Sequence, residues 1–536
     1  MIRIAMIGGG PKSLFALLEL HERLQGVASP SVLVDVYDPY SPGAGRVWNT
    51  AQPQELRINV NARIIDASFS LGPRSFDQWR QDKPGTDSSD PFPPRALVGK
   101  YLSEQFEQLV QHSCIEVEHR AYVVDALNKV DGKWEVTTCK VTEVYDEVVL
   151  ATGHGVTGQI VEQLDPMSIQ ATALTVQSLE SEAQRIPAGG EVIIKGSALT
   201  AYDVVLRLTE GRSGSWEGDS GAGGLTLRYV PSGNEPKLIT MTSRRGISMT
   251  PKPQAVGSRV QDALVPYRSE LRTWGGSQER KTDQLWNILT DAALAVAHVS
   301  AVEASKEALQ DTVHQGISEQ FAGQNNPFEQ LRYSLEVNHG VKPKTHEWVW
   351  GVVWSGLYRE MVEALSRYEW DRQSRQEFNM MASNLERMAF GPPEPTALKL
   401  LALSEIGILR HENSGQETMG DTPRSEVLRV DAVTVPPGVL SAPAPEGVPA
   451  SALYKSLLVS GEIFIRQGER GILTDTDGTC LDAQGQRNES LTALGRPTED
   501  PTLGHDTLNR TLHTEYQRWA QRVTTRVIAS NQKVAR

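Results

Sequence analysis

The sequence has few cysteines and no closely spaced cysteine pair. Its 536 residues include Cys114, Cys139 and Cys480, with no Cys-x-x-Cys motif. This spacing argues against a dithiol–disulfide reductase and a cysteine-rich zinc site, and it favours a reducing compartment, so a cytoplasmic location is expected. The 11 histidines show no His-Glu-x-x-His or similar ligand spacing, so no metal site is expected.

Long apolar runs and an excess of positive charge are also missing. No uninterrupted apolar stretch approaches the roughly 18 residues of a membrane span. The net charge of −13 argues against nucleic acid or an anionic membrane as a partner. A strand is expected to begin at Ile2, which leaves no room for an export signal before the fold. The length is too great for one ordinary core, so several domains are expected.

The N-terminal residues predict a strand, a glycine turn and a helix. Ile2–Ile7 is mostly apolar, as a buried parallel strand should be. Gly8 permits a tight turn and Gly10 lets the backbone approach a pyrophosphate, while Pro11 is tolerated at the start of a helix. Ser13 stands where glycine or alanine is more usual, and its hydroxyl group is available to face a phosphate.

A second strand that ends in an acid supports this interpretation. Val32–Tyr37 is strand-like, and Asp38 follows Ser13 by 25 residues. A carboxylate at this position accepts hydrogen bonds from ribose hydroxyls of a dinucleotide. The alternative is a strand–helix–strand unit that binds no ligand.

A second strand–turn–helix unit begins near residue 191. Val192–Ile194 predicts the strand, and Gly196 begins a turn in which Ala198 occupies the position of closest backbone approach. The alanine methyl group pushes a pyrophosphate outward. The next strand leads into Arg244 and Arg245, which suit the 2′-phosphate of NADPH through charge-assisted hydrogen bonds. The alternative is a solvated turn.

These motifs occur in an order that resembles a known family. GGGPKS, PGAGRVWN, LRINV, PPRALVGKYL, ATGH, GSALTAYDVVL, TSRRG, FGPP and LTALGRPTED follow one another along the chain. Together they resemble bacterial FAD/NAD(P)-binding flavoprotein monooxygenases with two dinucleotide-binding domains. Within that family, the chain looks most like amino-acid N-hydroxylases that form nitrosuccinate from aspartate.

The resemblance implies roles for individual residues. It implies that Asn59 is catalytic and lies near the flavin ring, although a buried structural amide is the alternative. It implies a last FAD-binding turn at Gly495, followed by a helix starting near Asp506. The cofactor-binding residues that it implies are Gly8, Gly10, Pro11, Lys12, Ser13, Asp38, Gly45, Trp48, Arg95, Tyr101, Gly153, Gly196, Ser197, Ala198, Arg244, Arg245 and Gly495.

The expected fold is α/β, with two Rossmann-like dinucleotide-binding domains, for FAD and NADPH, and a helical insertion. We expect the first part of the FAD domain in 1–170 and the NAD(P)H domain in 171–253. A mainly helical substrate or cap region is expected in 254–400. Residues 401–536 are expected to complete the FAD domain and to end in a helix.

The expected function is an FAD-dependent, NADPH-using monooxygenase that N-hydroxylates a small polar amine or amino acid through a peroxyflavin. Its expected partners are a small-molecule substrate and molecular oxygen. Ala198 and the missing dithiol leave two alternatives open. One is an FAD-dependent oxidase or dehydrogenase of a small metabolite, and the other is a non-catalytic nucleotide-binding redox sensor.

Overall fold

The structure, a computed structural model, describes residues 1–27, 31–70, 75–153, 166–218, 226–253, 256–322, 326–413, 427–434 and 436–534. The chain divides into two compact units. The first unit combines Met1–Gln163 with Val435–Arg536, and the second comprises Leu164–Thr434.

The strands alternate with helices along much of the chain. The strands are β1 (Ile2–Ile7), β2 (Val32–Tyr37), β3 (Glu116–Arg120), β4 (Val124–Val130), β5 (Lys133–Thr138), β6 (Thr142–Tyr145), β7 (Glu147–Leu150), β8 (Ser168–Gln170), β9 (Glu191–Lys195), β10 (Ser215–Glu217), β11 (Arg228–Val230), β12 (Leu238–Ser243), β13 (Leu409–Asn413), β14 (Leu428–Asp431), β15 (Thr479–Leu481) and β16 (Arg487–Ala493).

The helices are concentrated between residues 258 and 405. They are α1 (Pro11–Leu24), α2 (Phe76–Gln81), α3 (Arg95–His112), α4 (Ala171–Thr175), α5 (Glu180–Gln184), α6 (Leu199–Leu208), α7 (Ser258–Gly276), α8 (Thr282–Val299), α9 (Lys306–Gln315), α10 (Glu319–Ala322), α11 (Pro327–Asn338), α12 (His346–Leu365), α13 (Arg372–Ala389), α14 (Glu394–Glu405), α15 (Ala452–Val459) and α16 (Glu515–Val534).

The first unit is built on a six-stranded sheet in the order β15-β16-β7-β1-β2-β3, in which only the β15–β16 pair is antiparallel. Because side chains alternate along a strand, β1 contributes to two cores. Ile4 and Met6 join a core that includes residues of α1, α3 and α16. Ala5 and Ile7 join a second core that includes residues of β5 and α15. The strand is therefore buried on both faces, as its apolar sequence predicts.

The second unit is built on a five-stranded, fully parallel sheet in the order β13-β12-β9-β14-β8. Its core joins Ile194 of β9 and Val204 of α6 to Phe328 of α11 and Leu401 of α14. The sheet therefore repeats the strand–turn–helix arrangement of the first unit, and the predicted α/β fold is confirmed. None of the described helices is both long enough and apolar enough to cross a membrane.

The observed units differ from the predicted boundaries after residue 400. We expected 401–536 to complete the first domain, but β13 and β14 pair with β12 and β9 of the second sheet. The first unit resumes only near residue 435. The short strands at 409 and 428 carry no sequence feature that assigns them to one sheet, because pairing between distant strands is decided by tertiary packing.

Candidate dinucleotide sites

The first glycine turn depends on the absence of a side chain at Gly8. Gly8 has φ +103°, and its N–H donates to the carbonyl of Tyr37 at 2.9 Å. A Cβ atom added to Gly8 would lie 2.4 Å from the carbonyl oxygen of Ala151. Both the backbone conformation and this contact require glycine, so Gly8 ties β1 to the ends of β2 and β7.

Gly10 provides an open surface at the start of α1. It precedes Pro11, the first residue of α1, and no side chain caps the helix. A Cβ atom added to Gly10 would meet nothing within 4 Å, whereas one added to Gly45 would lie 2.9 Å from the Cα of Gly10. The free N–H groups of a helix start suit an anion. This open, uncapped cradle fits a pyrophosphate group.

Asp38 holds the turn from the end of β2. Its carboxylate accepts hydrogen bonds from the N–H groups of Gly9, at 2.6 Å, and Tyr40, at 2.8 Å. Burial raises the pKa of Asp38, and the two N–H donors oppose this shift. The carboxylate thus positions the glycine turn, while its predicted contact with a ribose stays a prediction.

Ser13 and Lys12 lie differently from the prediction. The hydroxyl group of Ser13 is buried and donates to the carbonyl of Gly8, so it closes the turn instead of facing a phosphate. The ammonium group of Lys12 donates to the carbonyl of Thr507 at 2.7 Å. Both side chains therefore bind backbone carbonyl groups of the protein. Their spacing in the sequence did not indicate these contacts.

The segment 43–48 lies against the first turn. The N–H of Gly43 donates to the carbonyl of Gly9 at 2.6 Å. Trp48 is half-buried beside the core, and a Cβ atom added to Gly99 of α3 would lie 1.9 Å from its carbonyl oxygen. Glycine at 99 therefore lets α3 approach this segment closely.

Asn59, Arg95 and Tyr101 belong to connected segments. The N–H of Arg95 donates to the carbonyl of Leu56 at 2.9 Å, and its Nε donates to the carbonyl of Arg57 at 3.1 Å. Asn59 lies two residues after Arg57 and is half-exposed. Tyr101 is fully buried, and its hydroxyl oxygen accepts from the N–H of Ala67 at 2.9 Å. Tyr101 is therefore a core residue, whereas Asn59 and Arg95 remain partly accessible.

The turns after β7 and β16 lie beside each other, because the N–H of Leu494 donates to the carbonyl of Leu150 at 2.9 Å. Gly153 and Gly495 both have positive φ, at +68° and +78°. The helix predicted near Asp506 is absent from this described part of the chain: a 3₁₀ helix spans Arg496–Thr498, another spans Arg510–Leu512, and α16 begins at Glu515. The predicted helix N-terminus at this turn is therefore wrong.

The second glycine turn repeats the first in the second unit. Gly196 has φ +120°, and its N–H donates to the carbonyl of Thr242 at 2.9 Å. Ser197 follows, and Ala198 is the extended N-cap residue of α6, as Gly10 is for α1. The backbone frame for a dinucleotide is thus present, with a methyl group where Gly10 has none.

The two arginines after β12 have different surroundings. Both are exposed, but the described residues provide no hydrogen-bond partner for the side chain of Arg244. Arg245 donates to the side-chain oxygen of Asn384 at 3.0 Å. Arg244 is therefore the more available of the two for an anionic ligand.

Three residues near this turn were missed by the sequence analysis. His411 lies 2.9 Å from the hydroxyl oxygen of Ser243, and burial lowers its pKa. Arg387 donates to the carbonyl of Ser248 at 2.7 Å, and burial lowers its pKa to about 10. Together with Asn384, these residues bind side chains or carbonyl groups of the 243–248 segment. Each is separated from its partner by more than 130 residues in the sequence, so no local motif could reveal it.

A group of buried histidines lies near Lys12. His505, His513 and Glu515 place their potential metal-ligand atoms within 4.8 Å of one another. However, the two imidazole rings stack with centroids 3.8 Å apart, and each makes a hydrogen bond within the protein, to Thr502 and to the carbonyl of Gly504. The geometry is that of a packed polar core.

The comparison with known families agrees with this geometry. Residues 5–155 match the FAD-NAD(P)-binding family. The matched residues lie within the first unit, and the resemblance inferred from the motifs is confirmed. The match includes the first turn, Asp38, Asn59 and the turn after β7.

Two curated relatives are similar to part of the chain. Nitrosuccinic acid synthase npaA of Aspergillus oryzae is 30% identical over 271 residues, covering 46% of this chain and 40% of the relative. An L-aspartate N-monooxygenase (nitrosuccinate-forming) of Streptomyces cremeus is 30% identical over 292 residues, covering 46% of this chain and 42% of the relative. The chain thus matches less than half of the length of either relative.

One solved structure resembles nearly the whole chain. It is the FAD-bound cadaverine monooxygenase DfoA of Erwinia amylovora, with a TM-score of 0.50 and 11% identity over 98% of this chain and 96% of that one. At this identity the likeness concerns the fold. It agrees with the predicted α/β fold.

Proposed function

We propose that this protein is an FAD-dependent, NADPH-using monooxygenase that N-hydroxylates a small polar amine or amino acid. L-aspartate is the first candidate, because two curated relatives are named for its oxidation or for its nitro product. The observation that carries the proposal is the first turn, where Gly10 leaves an open cradle at an uncapped helix start within a matched FAD-NAD(P)-binding domain.

The first unit would hold FAD and the second would hold NADPH. FAD, when bound, supplies the route from NADPH and O₂ to an oxygen atom on the substrate nitrogen. For one hydroxylation, an amine, O₂, NADPH and a proton give a hydroxylamine, NADP⁺ and water. The substrate is a small molecule, and the spread of the free cysteines Cys114, Cys139 and Cys480 supports a cytoplasmic location.

The residues of this chain have three tasks in the proposal. The N-terminus of α1 and the open face of Gly10 bind the pyrophosphate. Asp38 orients the turn through the N–H of Gly9. Asn59 is the candidate for a hydrogen bond at the reacting end of the cofactor, because its side chain is half-exposed beside the Arg95 segment.

The test is a screen of amines for substrate-dependent consumption of NADPH and O₂. Small amino acids are tried first, beginning with aspartate, and mass spectrometry detects hydroxylamine, oxime or nitro products. Asn59→Ala should shift O₂ consumption toward hydrogen peroxide with little loss of bound FAD. Equal coupling in Asn59→Ala and wild type would remove Asn59 from the catalytic assignment.

An FAD-dependent oxidase or dehydrogenase is the second candidate. Ala198 supports it, because a methyl group at the second turn weakens the case for a productive NADPH site. This candidate predicts dehydrogenation of an amine or alcohol without NADPH and without an oxygen atom in the product. A redox sensor would bind both dinucleotides and show neither reaction.

A further inference from the structure

Lys12 occupies an unusual place for a charged residue. It is the second residue of α1, two positions after Gly10, and it is half-buried. Its ammonium group donates to the carbonyl of Thr507 at 2.7 Å. Thr507 lies in the loop between the two 3₁₀ helices that follow Gly495. One side chain therefore joins the first glycine turn to a segment almost 500 residues away.

The stem of Lys12 makes a second contact with the same segment. A Cβ atom added to Gly495 would lie 2.9 Å from the Cγ of Lys12, and Gly495 also has φ +78°. The aliphatic stem thus lies across Gly495 while the ammonium group reaches Thr507. Lys12 therefore contacts the 495–507 segment at two points.

The 495–507 segment has internal hydrogen bonds and is also bound to neighbouring loops. The hydroxyl of Thr498 donates to the carbonyl of Gly495 at 2.9 Å, and Glu499 accepts from the N–H of His505 at 2.8 Å. Glu499 also pairs with Arg496. Other loops also bind the segment: Gly438 donates its N–H to the carbonyl of Arg496 at 3.2 Å, Ile472 to that of Pro497 at 2.9 Å, and Arg470 to the carboxylate of Asp500 at 2.8 Å. Lys12 adds a connection from this anchored segment to the first glycine turn.

The carboxylates around Lys12 favour its protonated form, whereas burial disfavours it. The groups that face it are Asp506, Glu499, Glu515, Arg496 and His513. Burial lowers the pKa of Lys12 to about 8, and the carboxylates of Asp506, Glu499 and Glu515 oppose this shift. At neutral pH the hydrogen bond to Thr507 is therefore charge-assisted, and such bonds are stronger than neutral ones.

We propose that Lys12 is a positioning residue for the dinucleotide: it clamps residues 495–507 against the first glycine turn instead of touching the pyrophosphate. The inference rests on the proposed FAD site of that turn. The clamp would hold Gly10 and the N-terminus of α1 in their binding arrangement, so loss of the clamp weakens dinucleotide retention without removing a direct contact.

The test uses Lys12→Met, which keeps the stem and removes the ammonium group, and Gly495→Ala, which brings a methyl group into the stem. Lys12→Arg tests rescue by charge. Lys100→Met is the control for loss of an exposed lysine in the same unit. Gly485→Ala is the control for backbone strain, because Gly485 has φ +75° and open space around its Cα.

The first measurement is hydrogen–deuterium exchange of residues 495–507 in the full chain stripped of flavin. The clamp predicts faster exchange there in Lys12→Met and Gly495→Ala, and wild-type exchange in both controls. This measurement needs no FAD, so it tests the Lys12 contact even if the wild-type chain binds no flavin. Failure of the wild-type chain to bind flavin would refute only the proposed function.

The second measurement is the dissociation constant of FAD in the single and double variants. We expect Lys12→Met to weaken FAD binding by roughly tenfold, Lys12→Arg to restore part of it, and the double variant to be no worse than Gly495→Ala. Additive losses, with unchanged exchange of 495–507, would instead place Lys12 directly on the pyrophosphate and overturn the clamp.

Discussion

The two glycine turns have the same backbone and different side chains. Gly8 and Gly196 both have positive φ, and each donates its N–H to the last or next-to-last carbonyl of the neighbouring strand at 2.9 Å. Gly10 in the first turn corresponds to Ala198 in the second, and Asp38 corresponds to Ser243. A parallel strand that leads into a helix therefore produces the same backbone turn in both units. The side chains at the turn determine which dinucleotide it can bind and how closely that dinucleotide can approach.

The residue at the end of the second strand of each strand–helix–strand unit shows the difference in side chains most clearly. Asp38 binds the N–H of Gly9 from inside the first turn. Ser243 has no such reach, and its hydroxyl oxygen lies near His411 and accepts from the N–H of Gly246 at 3.1 Å. Without a carboxylate at 243, a 2′-phosphate would meet no direct repulsion there, which agrees with the proposed use of NADPH.

The largest effect is expected from a side chain at the open position of the first turn. Gly10→Val should abolish FAD retention, because the added atoms occupy the space that a pyrophosphate needs. The fold should survive, because Gly10 is extended and a Cβ there meets nothing within 4 Å. Flavin absorbance after desalting and the melting temperature of the flavin-free chain measure the two outcomes.

The matched control is Ala198→Val in the second turn. It should spare FAD and raise the Michaelis constant for NADPH. If both variants lost FAD equally, the loss would reflect general destabilisation, and the assignment of the two dinucleotides to the two turns would be wrong.

A smaller effect is expected at the end of the second turn. Arg244→Ala should raise the Michaelis constant for NADPH far more than that for NADH, because loss of a charge-assisted contact costs about 1.5–3 kcal/mol, or roughly 10- to 150-fold. Arg245→Ala should have less selective effects, since Arg245 is bound to Asn384. Steady-state kinetics with both coenzymes would show the difference, and equal changes for the two coenzymes would assign Arg244 to structure.

A glycine at position 198 should improve NADPH binding at the second turn. Ala198→Gly gives the second turn the glycine of the first and removes the methyl group from its closest approach. We expect the Michaelis constant for NADPH to fall severalfold, with FAD content unchanged. A higher constant would show that the alanine contacts the coenzyme favourably.

The smallest effect concerns pH. Burial lowers the pKa of Lys12 from 10.5 to about 8, although Asp506, Glu499 and Glu515 oppose the shift and Arg496 adds to it. Between about pH 8 and 10.5 the unfolded chain therefore binds more protons at this lysine than the folded chain, so this group's contribution to stability rises with pH. The free energy of unfolding of wild type minus that of Lys12→Met should increase over this range, measured by denaturant unfolding without flavin. A constant difference would contradict the assigned pKa.

The sequence predicted the parts of the molecule that local chemistry determines. Residues 2–7 and 32–37 form the expected strands, and Pro11 begins the expected helix, because strand patterning, glycine turns and proline act over short distances. The pairing of β13 and β14 with the second sheet could not be predicted, since it depends on contacts across 170 residues or more. The hydrogen bond between Lys12 and Thr507 could not be predicted either, because the two residues meet only in the folded unit.

A single turnover in two stages would decide whether the protein is a monooxygenase. The flavin-loaded protein is first mixed with NADPH without oxygen, and then with O₂ and L-aspartate or another small amine. We expect NADPH to bleach the flavin and an N-hydroxylated or further oxidised product then to form, with one oxygen atom from O₂. Stoichiometric hydrogen peroxide and no oxygenated amine, for every amine that is tested, would contradict this expectation.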